Sequence, residues 1–369
     1  MEVSSSIRKK LQATIPEDVI IEFLLRLPVK ALLRFKLVCK TWYNLIKSHT
    51  FKLMHRNFGT VSQLLICTSK RLAKKRFNHM FCFRSNDKLT CELSPDLQIP
   101  ANRDRIVFLA GSCNGIVCYY DCTATIFLSN PATREFRQLP STIGVTEFFF
   151  QHIGVGFGFE SSNIYDFKLL RLLCLGGTPN EIRAEMFTLS SNTWRQLDWG
   201  LSNELVFRGV GLFCANSFHF IMQGNKHSFL KQLIVCCDIA TERFKTMDFP
   251  PKPKDDDGSC KMLMAFKGCL SSVYIYNWMM NYEEKPIEIW VMKDYGVVES
   301  WTKLYTIGLS SALPLCFWMD QDDLLLMQFK TDKLVSCHLT TLHVESVQNL
   351  GYQWNSRIVI YKETLVSII

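Results

Sequence analysis

One unit recurs along this chain and restricts its fold more than any other feature. It is an apolar strand, a short polar turn, and a second strand opened by an aromatic residue. Residues 127–140, 186–198, 234–247 and 287–304 follow it, and 334–347 is a weaker fifth copy. Each copy sets alternating apolar residues about an Asp, Asn or Ser turn, the grammar of a β-hairpin. The aromatics Phe136, Trp194, Phe244 and Trp301 stand 58, 50 and 57 residues apart. A period of this length predicts a radial array of β-blades. A large aromatic at a fixed place in every unit predicts packing between blades rather than a ligand box. Further strand pairs are expected over 111–121, with Asn114-Gly115 as the turn, and over 213–222, 264–276 and 322–329.

The first 58 residues do not share the pattern. Thr14 is expected to cap a helix, with Pro16 in its first turn and Glu17 and Asp18 at the positive end of its dipole. Val19, Ile20, Phe23, Leu24 and Leu27 follow at helical spacing, and Pro28 stops the helix. A second apolar set, Val29, Leu32, Leu33, Phe35, Leu37, Val38, Trp42, Leu45 and Ile46, runs on to Ser48. About 45 residues cannot bury so many large apolar groups unaided. On pattern alone the segment is either a helical hairpin packed on the rest of the chain or a partner-binding module covered by another protein.

Hydrophobic residues make up 48 % of the chain, enough for a sizeable core. No apolar run reaches about 18 residues, so no membrane span is expected. Residues 1–13 read as a flexible basic lead-in without the apolar core of a signal peptide. The 15 cysteines are odd in number and many sit in apolar strand-like runs, so they read as reduced, buried small side chains. The net charge of +8 is uneven: residues 1–110 carry 20 Lys/Arg against 8 Asp/Glu, and residues 111–369 carry 22 against 26. A basic head suits an acidic protein partner. Nucleic acid would need the basic footprint to continue over the body, and it does not. The basic cluster at 69–76 has the composition of a nuclear-import or phosphate-binding patch, but such a run is more often a solvated hairpin loop, and it is read as that.

Signatures of catalysis are missing. There is no Cys-x-x-Cys pair and no His-Glu-x-x-His, so zinc chemistry has no scaffold. The eight histidines are scattered, with only His338 and His343 able to face each other across a turn. Gly154-x-Gly156-x-Gly158 has half of a dinucleotide loop but no helix start after it. The acidic runs 255–257 and 320–323 lack the alternation about a glycine that calcium requires. No catalytic residue, metal or cofactor is expected.

Family resemblance sharpens the open choice. Ile15-Pro16-Glu17-Asp18, Leu24-Leu25-x-Leu27-Pro28, Leu32-Leu33-Arg34-Phe35 and Val38-Cys39-Lys40-x-Trp42-Tyr43-x-Leu45-Ile46 resemble an F-box, with the spacing kept throughout. The body resembles the F-box-associated domain of large plant families. The residues that carry this are Gly111-Ser-Cys-Asn-Gly-Ile-Val-Cys118, Asn130-Pro131-Ala-Thr-Arg134, Gly156-Phe-Gly158-Phe with Tyr165-Asp166-Phe-Lys168, Ser190-x-x-x-Trp194 and Ile289-Trp290-Val-Met. Kelch repeats carry a double glycine, found here only at Gly176-Gly177, and so fit less well.

The resemblance implies an α+β chain, with a small three-helix F-box over 14–58 and an all-β, propeller-like F-box-associated domain over 59–369. It implies a substrate receptor, not an enzyme, in an SCF-type ubiquitin ligase of the cytoplasm or nucleus. The head would bind a Skp-type adaptor through Ile15, Pro16, Val19, Ile20, Leu24, Leu27, Pro28, Leu32, Val38, Cys39 and Trp42, with Trp42 and Leu24 as anchors. Cullin and a ring-finger subunit would join through the adaptor. The body would hold a target protein for ubiquitination and proteasomal degradation, through residues the sequence does not identify. Within the family, residues 359–367 and His55-Arg-Asn57 are similar to S-locus F-box proteins of pollen self-incompatibility, which implies a secreted style ribonuclease (S-RNase) as target. The runner-up is a protein-interaction module outside the ligase, and the third reading is a β-propeller enzyme with its site in the central channel.

Overall fold

The computed structural model describes residues 15–58, 62–71, 77–85, 88–93, 107–141, 150–160, 163–175, 181–224, 232–251, 260–275, 286–308, 312–318, 323–329, 334–346 and 357–368. The expected cap Thr14, the lead-in 1–13, Gly176-Gly177, the acidic run 255–257 and most of the run 320–323 lie outside them.

Among the described residues the β body is six four-stranded antiparallel sheets. The first holds β1 (Gln63–Arg71), β2 (Phe77–Ser85) and β3 (Lys88–Leu93). The second is β4 (Val107–Cys113), β5 (Ile116–Asp121), β6 (Ile126–Asn130) and β7 (Glu135–Gln138). The third is β8 (Phe150–Glu160), β9 (Asn163–Leu175), β10 (Glu181–Thr188) and β11 (Thr193–Leu197). The fourth is β12 (Leu205–Cys214), β13 (Ser217–Gly224), β14 (Gln232–Asp238) and β15 (Phe244–Met247). The fifth is β16 (Cys260–Phe266), β17 (Cys269–Ile275), β18 (Ile287–Met292) and β19 (Trp301–Ile307). The sixth is β20 (Ala312–Trp318), β21 (Leu324–Phe329), β22 (Leu334–His338) and β23 (Val344–Ser346). The last strand, β24 (Arg357–Tyr361), returns to the first sheet and pairs with β1, setting Gln63 opposite Tyr361 and Cys67 opposite Arg357. Strands β4, β8, β12, β16, β20 and β24 each meet the next around a closed ring. The body is a six-bladed propeller whose first blade is completed from the other end of the sequence, which closes the ring.

Six apolar clusters fill the six seams. Leu65, Tyr119 and Tyr361 lie between blades 1 and 2, Phe157, Phe167 and Leu128 between 2 and 3, and Leu172, Phe218 and Phe220 between 3 and 4. Ile234 and Tyr274 lie between 4 and 5, Ile289 and Leu325 between 5 and 6, and Leu64 and Trp318 between 6 and 1. The recurring aromatics sit in these seams as expected, each with the blade before its own: Phe136, Trp194, Phe244 and Trp301. The two tryptophans also reach back across the seam. Trp194 Nε1 donates to the Pro140 carbonyl at 2.7 Å, and Trp301 Nε1 donates to the Asp248 carbonyl at 3.3 Å. In the sixth blade Val344 takes the place of the aromatic.

The Gly154-x-Gly156-x-Gly158 run is part of β8, on the inner ring. Its glycines make room for the phenylalanines of blade 4. A Cβ on Gly156 would stand 2.6 Å from Phe218, and one on Gly154 would stand 3.1 Å from Phe220. A Cβ on Gly158 would meet Phe213. The glycines are there for seam packing, not for a nucleotide. The Asn114-Gly115 turn forms as expected, with positive φ at both residues. The strand β1 runs to Arg71, through the start of the basic cluster at 69–76; residues 72–76 lie outside the described set.

The head contains four helices where three were expected: α1 (Glu17–Leu25), α2 (Val29–Phe35), α3 (Lys40–Lys47) and α4 (His49–Asn57). Pro16, not Thr14, is the N-cap of α1, and it makes no side-chain cap. Ser48 creates the fourth helix. Its extended backbone ends α3, its hydroxyl donates to the Leu45 carbonyl at 2.7 Å, and the same oxygen accepts the Phe51 N–H at 3.2 Å. His55 then pins α4 to the break at Pro28, its Nε2 donating to the Leu27 carbonyl at 2.8 Å.

Candidate adaptor-binding surface

Helix α1 is apolar on more than one side, so a single buried stripe cannot use all of it. Leu24 and Leu25 go inward, joining Val29, Leu32, Ile46 and Phe51 in the head's core. Val19 and Phe23, one turn apart, face outward. Phe23 is 6.3 Å from Phe35, which is 5.4 Å from Trp42, so a series of rings ties α1, α2 and α3 together. The turn after α2 then exposes Leu37, at 86 %, and Val38, at 60 %.

The eleven expected contact residues separate into two groups. Ile15, Pro16, Val19, Pro28, Val38 and Cys39 are exposed, and Ile20, Leu27 and Trp42 are partly exposed. Leu24 and Leu32 are fully buried. That corrects the choice of Leu24 as an anchor: its side chain holds the helices together and is not available to a partner. Cys39 also has local work, its sulfur accepting the Trp42 N–H at 3.5 Å as the cap of α3. Phe23, Leu37, Tyr43 and Phe58 are also exposed and were not among the expected contacts. Their signal in the sequence was an apolar residue off the buried stripe.

The head's core is not purely its own. Leu365 is buried in it, and Ala132 of the turn between β6 and β7 packs against it. The Arg56 guanidinium stands 5.9 Å over the Phe159 ring of blade 3. Burial pushes the Lys36 ammonium down, aided by Lys52 and opposed by Glu135 of β7. One side of the head is packed on the body, as the first of the two readings expected, and another side is exposed. Eight Lys/Arg against three Asp/Glu lie within residues 17–57. Exposed large apolar residues elsewhere, Tyr295, Val297, Leu304, Leu342 and Ile360, are spread over blades 5, 6 and 1.

Within the described residues no three His, Cys, Asp or Glu side chains converge as a metal site, and no helix is long and apolar enough to cross a membrane. Among the described residues no disulfide is formed, and Cys39 and Cys122 are exposed. His338 and His343 flank the turn between β22 and β23, where the His338 N–H donates to the His343 carbonyl at 2.9 Å.

Comparison with known proteins agrees with this architecture. Residues 14–54 match the F-box domain, and residues 63–368 match the F-box associated beta propeller domain. F-box protein CPR1 of Arabidopsis thaliana is 27 % identical over 353 residues, covering 88 % of this chain and 81 % of that protein. An F-box/kelch-repeat protein of the same plant is 26 % identical over 375 residues, covering 96 % and 95 %. Among solved structures, the Aleuria aurantia lectin described as a six-bladed beta-propeller aligns over 80 % of this chain and 97 % of its own. Its TM-score is 0.45 and its identity 9 %. With more than half of its length matched by one domain family and an F-box ahead of it, the chain belongs to the F-box proteins that carry an F-box associated β-propeller domain.

Proposed function

We propose that the chain is the substrate receptor of an SCF-type ubiquitin ligase, acting in the cytoplasm or nucleus and carrying no transfer chemistry of its own. The observation that carries the reading is the exposed apolar group Ile15, Val19, Phe23, Leu37 and Val38 on a basic F-box head. Large apolar side chains grouped on one small module are the material of an interface core. The basic surround favours fast encounter with an acidic adaptor. Ubiquitin transfer then gains rate from effective concentration, because target and charged conjugating enzyme are held on one assembly. An S-RNase target rests on the resemblance of residues 359–367 and 55–57 to S-locus proteins alone; the residues that hold a target are unassigned.

The test is binding of the full chain to a purified Skp-type adaptor. Leu37→Asp with Val38→Asp places two charges in the exposed group without touching the head's core. Loss of two hot-spot residues is expected to weaken binding by about 100-fold or more, with the propeller's melting unchanged. Undiminished adaptor binding by that variant would overturn the assignment of this surface, and a wild-type chain that binds no adaptor would favour an interaction module outside the ligase.

A further inference from the structure

Residues 362–368, directly after β24, are tied to two bodies at once. Toward the propeller, Asn130 Nδ2 donates to the Thr364 carbonyl at 3.1 Å and to the Val366 carbonyl at 2.6 Å. The Thr364 hydroxyl donates to the Asn114 carbonyl at 2.8 Å. Arg137 donates to the Ile368 carbonyl at 2.7 Å. The Glu135 carboxylate accepts the Ile368 N–H at 2.8 Å and the Ser367 hydroxyl at 3.0 Å. Val366 and Ile368 are buried in the seam between blades 2 and 3. Gly115 is required beside the segment: its φ is +75°, and a Cβ there would stand 2.7 Å from the Lys362 carbonyl and collide with Thr364.

Toward the head there is one side chain. Thr364 and Val366 go to blade 2, and Leu365 between them goes the other way, into the core formed by Leu24, Leu32, Ile46 and Phe51. It is 4 % exposed. Leu365, together with the contacts of Lys36 and Arg56, attaches the head to the body at points far in sequence from the helices.

We propose that residues 362–368 are a strut that sets the angle between the F-box helices and the propeller, with Leu365 as a positioning residue for ubiquitin transfer. The second half rests on the receptor reading above. In a device that works by proximity, the reach of the conjugating enzyme over the body depends on how firmly head and body are joined. The 111–118 and 130–134 motifs then share a task, since Asn114, Gly115 and Asn130 all hold the strut.

The experiment uses the full chain, Leu365→Asp and the conservative Leu365→Met. Amide hydrogen exchange is read over residues 17–57. Ubiquitin transfer to lysines of the chain's own propeller is mapped by mass spectrometry, with Skp-type adaptor, cullin and ring-finger subunits in saturating amounts. Losing the burial of one leucine is expected to raise exchange in α1 and α4 about tenfold to a hundredfold. The Asp variant should also spread modification over more lysines while the propeller melts as before, and Leu365→Met should restore the wild-type pattern. Unchanged exchange and an unchanged lysine pattern in the Asp variant would overturn the strut. So would a propeller that melts in step with the head, since the segment would then be an ordinary part of blade 2. If the wild-type chain binds no adaptor, the receptor reading fails, and the exchange measurement still decides whether the strut exists.

Discussion

Replacing Gly156 by alanine tests the seam between blades 3 and 4. The added methyl would stand 2.6 Å from Phe218 Cδ1 and 3.2 Å from its Cγ. Phe218 has no exposed surface, so its ring has no open space to turn into. Gly156 does not have a left-handed φ, so the cost is packing and not backbone strain. Overpacking of a closed core costs about 1–3 kcal/mol. In a domain of this size each kcal/mol lowers the melting temperature by about 2 °C, so Gly156→Ala should melt about 2–6 °C below wild type in calorimetry. The control is Gly111→Ala, whose methyl would find its nearest neighbour, Phe157, at 4.0 Å. That variant should be neutral or stabilised by up to about 1 kcal/mol, because alanine restricts the unfolded chain. Gly158→Ala should lose an amount comparable to Gly156→Ala, because its methyl would collide with the Phe213 ring, which is itself packed against Phe159 and Phe218. Phe218→Leu should relieve part of the Gly156→Ala loss, as a coupling of about 0.5–3 kcal/mol between the two sites. If Gly156→Ala melts with Gly111→Ala, or if the two sites are additive, the packing argument is wrong.

Two further perturbations probe buried polar groups. Arg171 donates from Nε to Glu185 at 3.0 Å and from Nη1 to the Ala124 carbonyl at 3.1 Å, and its guanidinium lies 4.1 Å over the Trp194 ring. Burial pushes its pKa down and Glu185 opposes this. Glu185→Ala should cost about 3–5 kcal/mol in chemical denaturation, and Arg171→Met with Glu185→Leu should recover most of it; equal losses in both would refute the pairing. His219, fully buried, donates from Nδ1 to the Leu212 carbonyl at 3.4 Å and accepts from the Tyr295 hydroxyl at 2.8 Å. Burial pushes its pKa down to about 4. Between that value and the ordinary one near 6.5 the unfolded chain binds the extra proton, so stability falls as pH drops, by about 3 kcal/mol over the window. Unfolding curves of wild type and His219→Gln from pH 7 to 4 should therefore converge or cross, and parallel curves would refute the argument.

The blades were legible because each repeats a local unit. A strand, a turn and an opening aromatic are all within about 15 residues, and the seam needs the same bulky group each time. The count of six was not legible. The sixth blade uses Val344 where blades 2 to 5 use an aromatic, and the first blade borrows its inner strand from 357–361. No local pattern reveals that loan. The head shows the same limit. Its apolar residues announced helices, yet nothing near Leu24 says that Leu365 covers it and leaves Val19 and Phe23 open. The fourth helix turns on the single hydroxyl of Ser48, which serves two helix ends and would also suit a loop. The glycines of β8 were noticed for a loop they do not form, because their reason lies on the neighbouring blade.

The loan of β24 to the first blade also sets an order of events on the ribosome. Residues 17–57 emerge early, with the Leu24 and Leu32 side of the helices uncovered. Leu365 is made about 15 to 60 s later at ordinary elongation rates. Until then the ring is open and the head lacks its plug. A finished head is thus a sign of a finished propeller, and an interrupted chain presents adaptor-binding helices that are loose on an unclosed body.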